Sequence, residues 1–258
     1  LKLIGDNMDK LLQPVGELPW YYTVTDLDHD GSMEFIAASQ HPQDRSTNLK
    51  VWEVSADRSA LTECTVEKDA EESFPDIMTD SADTFRTADG TWNYLFYDNI
   101  VLSDTEVYTS KSAFHMKDGV IRYEAFAVEH VVVENGTRTT THTDMDGNDI
   151  TPEQYNASGV LAFDGADRSS TNFEWLAAAD ADNLTKLTDS FAVFMGQKAP
   201  TEFFPVPKPV ALIAPPADGG ADAAPAATPA PAATPAPVEQ VYLTITKNPT
   251  NENRKEKD

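Results

Sequence analysis

The sequence predicts a mainly β fold with a minor α component: an antiparallel meander of hairpins and one packed amphipathic helix near the C-terminal end of its main domain. Three observations carry this. Turn pairs recur along the chain, at Asp30-Gly31, Asp89-Gly90, Asp118-Gly119, Asn135-Gly136 and Asp146-Gly147, each close to apolar or β-branched positions, which is a strong short-range hairpin signal. The segments between them alternate with period two, as in Ile121-Arg122-Tyr123-Glu124-Ala125 and in the shared face of Trp92, Tyr94 and Phe96. A helical period is confined mainly to Asp182–Met195, where Leu184, Leu187, Phe191 and Phe194 recur three and four apart behind an Asp able to cap the start.

Taken in order, the elements begin with Trp20-Tyr21-Tyr22-Thr23-Val24-Thr25 and Phe35-Ile36-Ala37-Ala38-Ser39, two strands around an acidic loop, followed by a strand at Leu49-Lys50-Val51-Trp52-Glu53-Val54. These make a hairpin region over residues 1–78. Residues 79–213 form the meander and its helix, continuous with the first region. Within it, Asn135-Gly136 as a two-residue turn pairs Glu134 with Thr137, His130 with Thr141 and His142 with Glu129. Thr151 and Pro152 mark the start of a short second helix, as cap and first helical residue. Residues 214–238 are a Pro/Ala-rich linker in which Ala-Ala-Thr-Pro-Ala-Pro occurs at 226–231 and again at 232–237; such composition builds no core and favours extended polyproline II. Residues 239–258 hold one alternating strand, Val241-Tyr242-Leu243-Thr244-Ile245-Thr246, whose opening resembles bacterial immunoglobulin-like repeats and implies the first strand of a truncated Ig-like module.

Composition narrows the function. The chain carries 43 acidic against 19 basic residues, a formal charge of -24, and no clustered basic face, so nucleic acid is excluded as a partner. The surplus of carboxylates favours cations as ligands. No segment approaches the roughly 20 apolar residues that cross a bilayer as a helix, so no membrane insertion is expected of this sequence. The single cysteine, Cys64, has no intramolecular partner and sits in the alternating Leu61–Val66 stretch without a basic neighbour, which reads as a small buried hydrophobe. An opening of Leu1-Lys2-Leu3-Ile4-Gly5, without Met or an export signal, is what a mature or excised fragment would show.

One motif carries chemistry. Asp26-Leu27-Asp28-His29-Asp30-Gly31-Ser32-Met33-Glu34 places carboxylates at positions one, three, five and nine and glycine at six. Calcium takes six to eight oxygens at about 2.4 Å, and alternate residues of a loop that turns sharply at glycine can converge on one centre. The metal ligands expected are Asp26, Asp28, Asp30, Ser32 through its carbonyl, and Glu34. Crowded carboxylates repel unless a cation separates them, so ion binding would relieve the loop. Position twelve is Ala37 rather than a bidentate acid, and both flanks read as strands, so the helical calcium-loop families fit badly.

The strand, loop, strand unit over residues 19–55 resembles the FG-GAP/VCBS-type repeat of integrin-like β-propellers, with Glu34 where that family usually has Asp. The resemblance implies Ca2+ bound at Asp26, Asp28, Asp30 and Glu34, and a propeller-like form of the meander. A propeller needs several blades, typically four to eight, and the sequence holds one loop of this kind. The stretch from Asp89 to Met195 also resembles surface proteins of Gram-positive anaerobic bacteria.

Other constellations are weaker. Asp144, Asp146, Asn148 and Asp149 have glycine too early for an ion loop and read as a tight Asp-Gly hairpin. In the register given above, His130 and His142 fall on opposite faces and cannot share a metal; His29, His41 and His115 are isolated. No nucleophile elbow, phosphate loop or metalloprotease helix is found. Glu129 and Glu174 are carboxylates of the type used in glycoside cleavage, and Trp20, Tyr21, Tyr22, Trp92 and Tyr97 could stack on sugars, although aromatics at period two are more often core. The function expected is therefore a noncatalytic, calcium-stabilised extracellular module of a bacterial surface or secreted multidomain protein, serving adhesion or binding to an extracellular protein or glycan. The alternative is a carbohydrate-binding or glycan-hydrolysing module.

Overall fold

The computed structural model describes residues 1–13, 20–40, 47–67 and 77–200. The chain divides between Ile213 and Ala214; the linker, the strand expected at 241–246 and His41 lie outside the described residues.

Two short helices, α1 (Lys2–Gly5) and α2 (Met8–Leu11), precede the strands β1 (Tyr21–Thr25), β2 (Glu34–Gln40), β3 (Thr47–Val54), β4 (Leu61–Glu63) and β5 (Thr65–Val66). Then follow β6 (Ser81–Arg86), β7 (Trp92–Ser103), β8 (Glu106–Lys117), β9 (Val120–Glu134) and β10 (Thr137–Asp144). The described part ends with α3 (Pro152–Leu161), β11 (Asp167–Asn172), β12 (Leu176–Ala177), α4 (Ala178–Ala181) and α5 (Leu184–Phe194). The strands form a five-stranded sheet in the order β12-β1-β2-β3-β4 and a seven-stranded sheet in the order β10-β9-β8-β7-β6-β11, with β5 parallel to the start of β9. All other pairings are antiparallel. The fold is mainly β, as the turn signals predict. Both sheets are open, and the described residues form no propeller.

Period two explains how the sheets stack. Ile36, Ala38, Leu49 and Val51 point from the first sheet onto Tyr94, Phe96, Phe114, Met116 and Ile121 of the second, making the core between the sheets. The alternate residues Tyr22, Val24, Phe35, Ala37, Trp52 and Val54 face the other way and are covered by Ile4, Met8 and Leu11 of the first helices and Leu187 of α5. The first sheet is thus buried on both faces, which accounts for the unbroken apolar run Phe35-Ile36-Ala37-Ala38. On the outer face of the second sheet, Phe85, Leu95 and Ala113 pack with Val160 and Phe163 at the end of α3.

The chain crosses between sheets at two places. Cys64 joins β4 to β5: its N–H bonds Val51 O at 2.8 Å, and the next N–H, of Thr65, bonds Gly119 O at 3.0 Å. Phe173, Glu174 and Trp175 carry the return from β11 to β12 through the core. The Cys64 thiol packs against the core between the sheets, and burial, reinforced by the charges of Glu53 and Glu34, pushes its pKa up to about 12, which suits a packing role.

Local signals hold at residue level in several places. The register read from Asn135-Gly136 is the observed one, including Thr141 opposite His130 and Glu129 opposite His142. Asn135 and Gly136 both have positive φ, 49° and 76°, the backbone of a type I′ turn. Thr151 caps α3 with a full capping box closed by Gln154, and Pro152 is the first helical residue. The helix of the C-terminal region starts later than the sequence suggests. Asp182 closes the preceding turn of helix, with its N–H on Ala178 O, so it cannot be the cap of α5. That place goes to Asn183, which is extended and accepts from the N–H groups of Thr185 and Lys186. Leu184 is consequently exposed, and the buried face of α5 is Leu187, Ser190, Val193 and Phe194. Ser190 Oγ accepts from Val24 N at 3.2 Å and donates to Glu174 O at 2.9 Å, satisfying an edge of β1 that the two-residue β12 leaves open.

Helix α3 approaches the second sheet closely only because residue 159 is glycine. A Cβ there would lie 2.5 Å from Leu95 Cδ1 and 3.2 Å from Lys111 Cδ, both on buried side chains. Gly159→Ala is expected to destabilise the fold by about 1–3 kcal/mol through overpacking, read as a lower urea midpoint at unchanged m value. An unchanged midpoint would show that the helix shifts freely.

Candidate metal centre

The acidic loop connects β1 to β2, whose register places Thr25 opposite Glu34. It is held from several sides. Leu27 is fully buried in the core between the sheets, and its carbonyl accepts from Tyr94 Oη of β7 at 2.8 Å. The imidazole of His29, at a positive φ of 56°, lies on Trp92 with ring centroids 4.0 Å apart and near Phe194 at 5.8 Å. Gly31 follows at φ 89°, a left-handed backbone that suits glycine. The loop is therefore clamped between the two sheets.

Among the described residues, Asp26, Asp28 and Glu34 form a group in which one carboxylate oxygen from each lies within 4.8 Å of the others. Glu34 is the most deeply buried member, with 0% of its surface exposed. Its Oε2 accepts from Leu27 N at 2.7 Å and Thr25 Oγ1 at 2.9 Å, whereas Oε1 is buried without a hydrogen-bond partner. Burial is the main reason that the Glu34 carboxyl pKa is pushed up to about 8, against the pull of those two donors. Asp26 is 6% exposed and Asp28 half-buried; burial raises both carboxyls, and the charge of Asp30 adds to it. Asp26 Oδ1 takes a long contact from Gly31 N, 3.4 Å, and the N–H groups of Asp30 and His29 also favour its charged form; Asp28 Oδ1 accepts from Asp30 N at 3.2 Å.

Of the five expected ligands, these three are brought together. Asp30 lies outside the group: it is exposed, and its Oδ1 accepts from Ser32 N at 2.6 Å. Ser32 is buried in the same loop. The neighbouring cleft, about 560 Å³, is lined by Asp28, Asp30, Glu53, Asp89, Trp92 and Lys117. Asp89 is already engaged in its own turn by the hydroxyls of Thr87 and Thr91, which hold its carboxyl down to about 2. Glu34 Oε1 has no such donor.

Sequence reasoning missed two features here: the hold of Tyr94 and Trp92 on the loop, and the presence of Glu53 beside it. The first has no local signal. The second was readable, because Glu34 and Glu53 each occupy the face of their strand that is otherwise apolar.

Most of the other candidates are engaged in packing or pairing. His130 meets Glu106 at 2.9 Å and stacks on Tyr108, while His142 meets Glu129 at 3.0 Å. Asp144 caps its own turn, accepting from Asp146 N and Asn148 N at 2.9 Å each, as a tight hairpin requires. Trp20 and Tyr22 are buried in the core beneath the helices, Glu174 is also buried, and Tyr97 is exposed.

Comparison with family models, with curated proteins and with solved structures finds no match.

The buried carboxyl sets a pH dependence. Without metal, folded Glu34 keeps its proton up to about pH 8, whereas the ordinary carboxyl releases it at 4.5. Across that window the folded state binds more protons than the unfolded state, so this stabilisation, full below 4.5, is lost as pH rises through about 8. Melts in chelator are expected to show a Tm that falls with pH over this window, and Glu34→Gln to flatten the slope. A wild-type Tm that rises with pH there would contradict the assignment.

Proposed function

We propose that this chain is a noncatalytic, calcium-stabilised extracellular module of a bacterial surface or secreted multidomain protein, with adhesion or binding to an extracellular protein or glycan as its role. One observation carries the reading: the Glu34 carboxylate, gathered with those of Asp26 and Asp28, is fully buried and has one oxygen, Oε1, without a hydrogen-bond donor. Desolvating a carboxylate without a partner costs several kcal/mol. A divalent cation offsets that cost at three residues at once.

The chemistry favours calcium over softer metals. The group offers hard oxygens and neither imidazole nor thiolate, and the Ser32 carbonyl and water are oxygen donors as well. A loop with few fixed ligands belongs with the weak sites of extracellular modules, whose dissociation constants are about 10⁻⁴ to 10⁻³ M and which fill only where calcium is abundant. The resemblance of residues 19–55 to the FG-GAP/VCBS-type loop supports the same ion and compartment. The position of the loop gives the ion a mechanical role: it would stiffen a segment that both sheets hold, through Leu27, Tyr94 and the His29–Trp92 stack. Such a module presents its surface to a partner in a fixed geometry.

Calcium added to chelated protein at about ten times its dissociation constant is expected to stabilise the fold by about 1.4 kcal/mol, a rise of a few degrees in Tm for a domain of this size. Asp28→Ala should abolish the rise. A wild-type Tm indifferent to millimolar calcium would remove the ion from the account.

A further inference from the structure

The loop is not the only source of carboxylate beside the candidate site. The pairing of β2 with β3 sets Glu53 directly opposite Glu34, and directly opposed residues share a face of the sheet with Cβ atoms about 4.5–5.5 Å apart. Like charges in that arrangement are destabilising. The neighbouring positions on that face, Ile36, Ala38, Leu49 and Val51, are all apolar and buried, so two facing glutamates at its end are a departure from the pattern.

Glu53 lies on the same cleft as the loop. It lines the cleft together with Asp28 and Asp30, and burial followed by the charges of those two residues raises its carboxyl pKa. Glu53 Oε2 lies 3.8 Å from where a Cβ of Gly119 would stand, so the β8–β9 turn borders it. The independent sign of a ligand is the fully buried Glu34 with its unpartnered Oε1. Glu53 is not among the carboxylates gathered within 4.8 Å, so it stands outside the group itself. The loop also lacks an acid at position twelve, which is Ala37, leaving the ion short of an anionic oxygen.

We propose that Glu53 completes the cation site from the neighbouring strand, accepting a hydrogen bond from a water bound on the cleft side of the ion. This rests on the calcium reading above. Calcium loops use acids through water in this way, and groups that hold a metal's outer partners are worth about 10–100-fold in affinity. The site is then a product of the β2–β3 register as well as of the loop, and its open side faces the cleft.

The test is calorimetric titration of the full chain with calcium at fixed ionic strength, for wild type, Glu53→Gln, Glu53→Asp and Asp118→Asn. Asp118 is another acid of the cleft wall and controls for the general field. Glu53→Gln is expected to weaken binding about tenfold, Glu53→Asp to fall between it and wild type, and Asp118→Asn to change affinity less than about twofold. Thermal melts without calcium confirm that each variant folds; should Glu53→Gln not fold, the Glu53→Asp result decides. Wild-type affinity in Glu53→Gln, or an equal loss in Asp118→Asn, overturns the role of Glu53 while leaving the loop site standing. No binding by wild type overturns both.

Discussion

The structure turns on one carboxylate that the fold removes from water. Glu34 occupies a position on β2 whose side chain must point between the two sheets, where its neighbours on the same face are Ile36 and Ala38. One of its oxygens is satisfied locally, by the N–H of Leu27 and the hydroxyl of Thr25. The other has no partner. A buried anion in that state must be neutralised by a proton or a cation, and the proposed ion would take the place of the proton.

The two sheets make the position possible. The first is buried on both faces, by helices on one side and by the second sheet on the other, and the loop leaving β1 is drawn into the same core by Leu27. Tyr94 and Trp92 of β7 then fix the loop from the opposite sheet. A change in the charge state of the loop is thus felt where the sheets meet.

Much of this was legible in the sequence, and for identifiable reasons. The Asn135-Gly136 turn gave the register of β9 on β10 because a two-residue turn leaves no freedom in pairing. Thr151, Pro152 and Gln154 marked the start of α3 because capping is a local interaction. The cap of α5 was misplaced from Asn183 to Asp182, since either residue type can cap and only the preceding helical turn, α4, decides between them. The stacking of two sheets, with crossings at Cys64 and at Phe173–Trp175, was not legible, because it depends on contacts far apart in the chain. At the loop, spacing identified which oxygens were available. It did not show that the N–H of Ser32 would engage Asp30, nor that strand pairing would bring Glu53 alongside.

The most direct measurement is a crystal structure of the protein grown with calcium and then exchanged for a lanthanide, read by anomalous scattering. The account predicts a single strong peak between Asp26, Asp28 and Glu34, within bonding distance of the Glu34 oxygen that otherwise has no partner. A map with no peak there, and with that oxygen hydrogen-bonded as a neutral acid at the same pH, would contradict it.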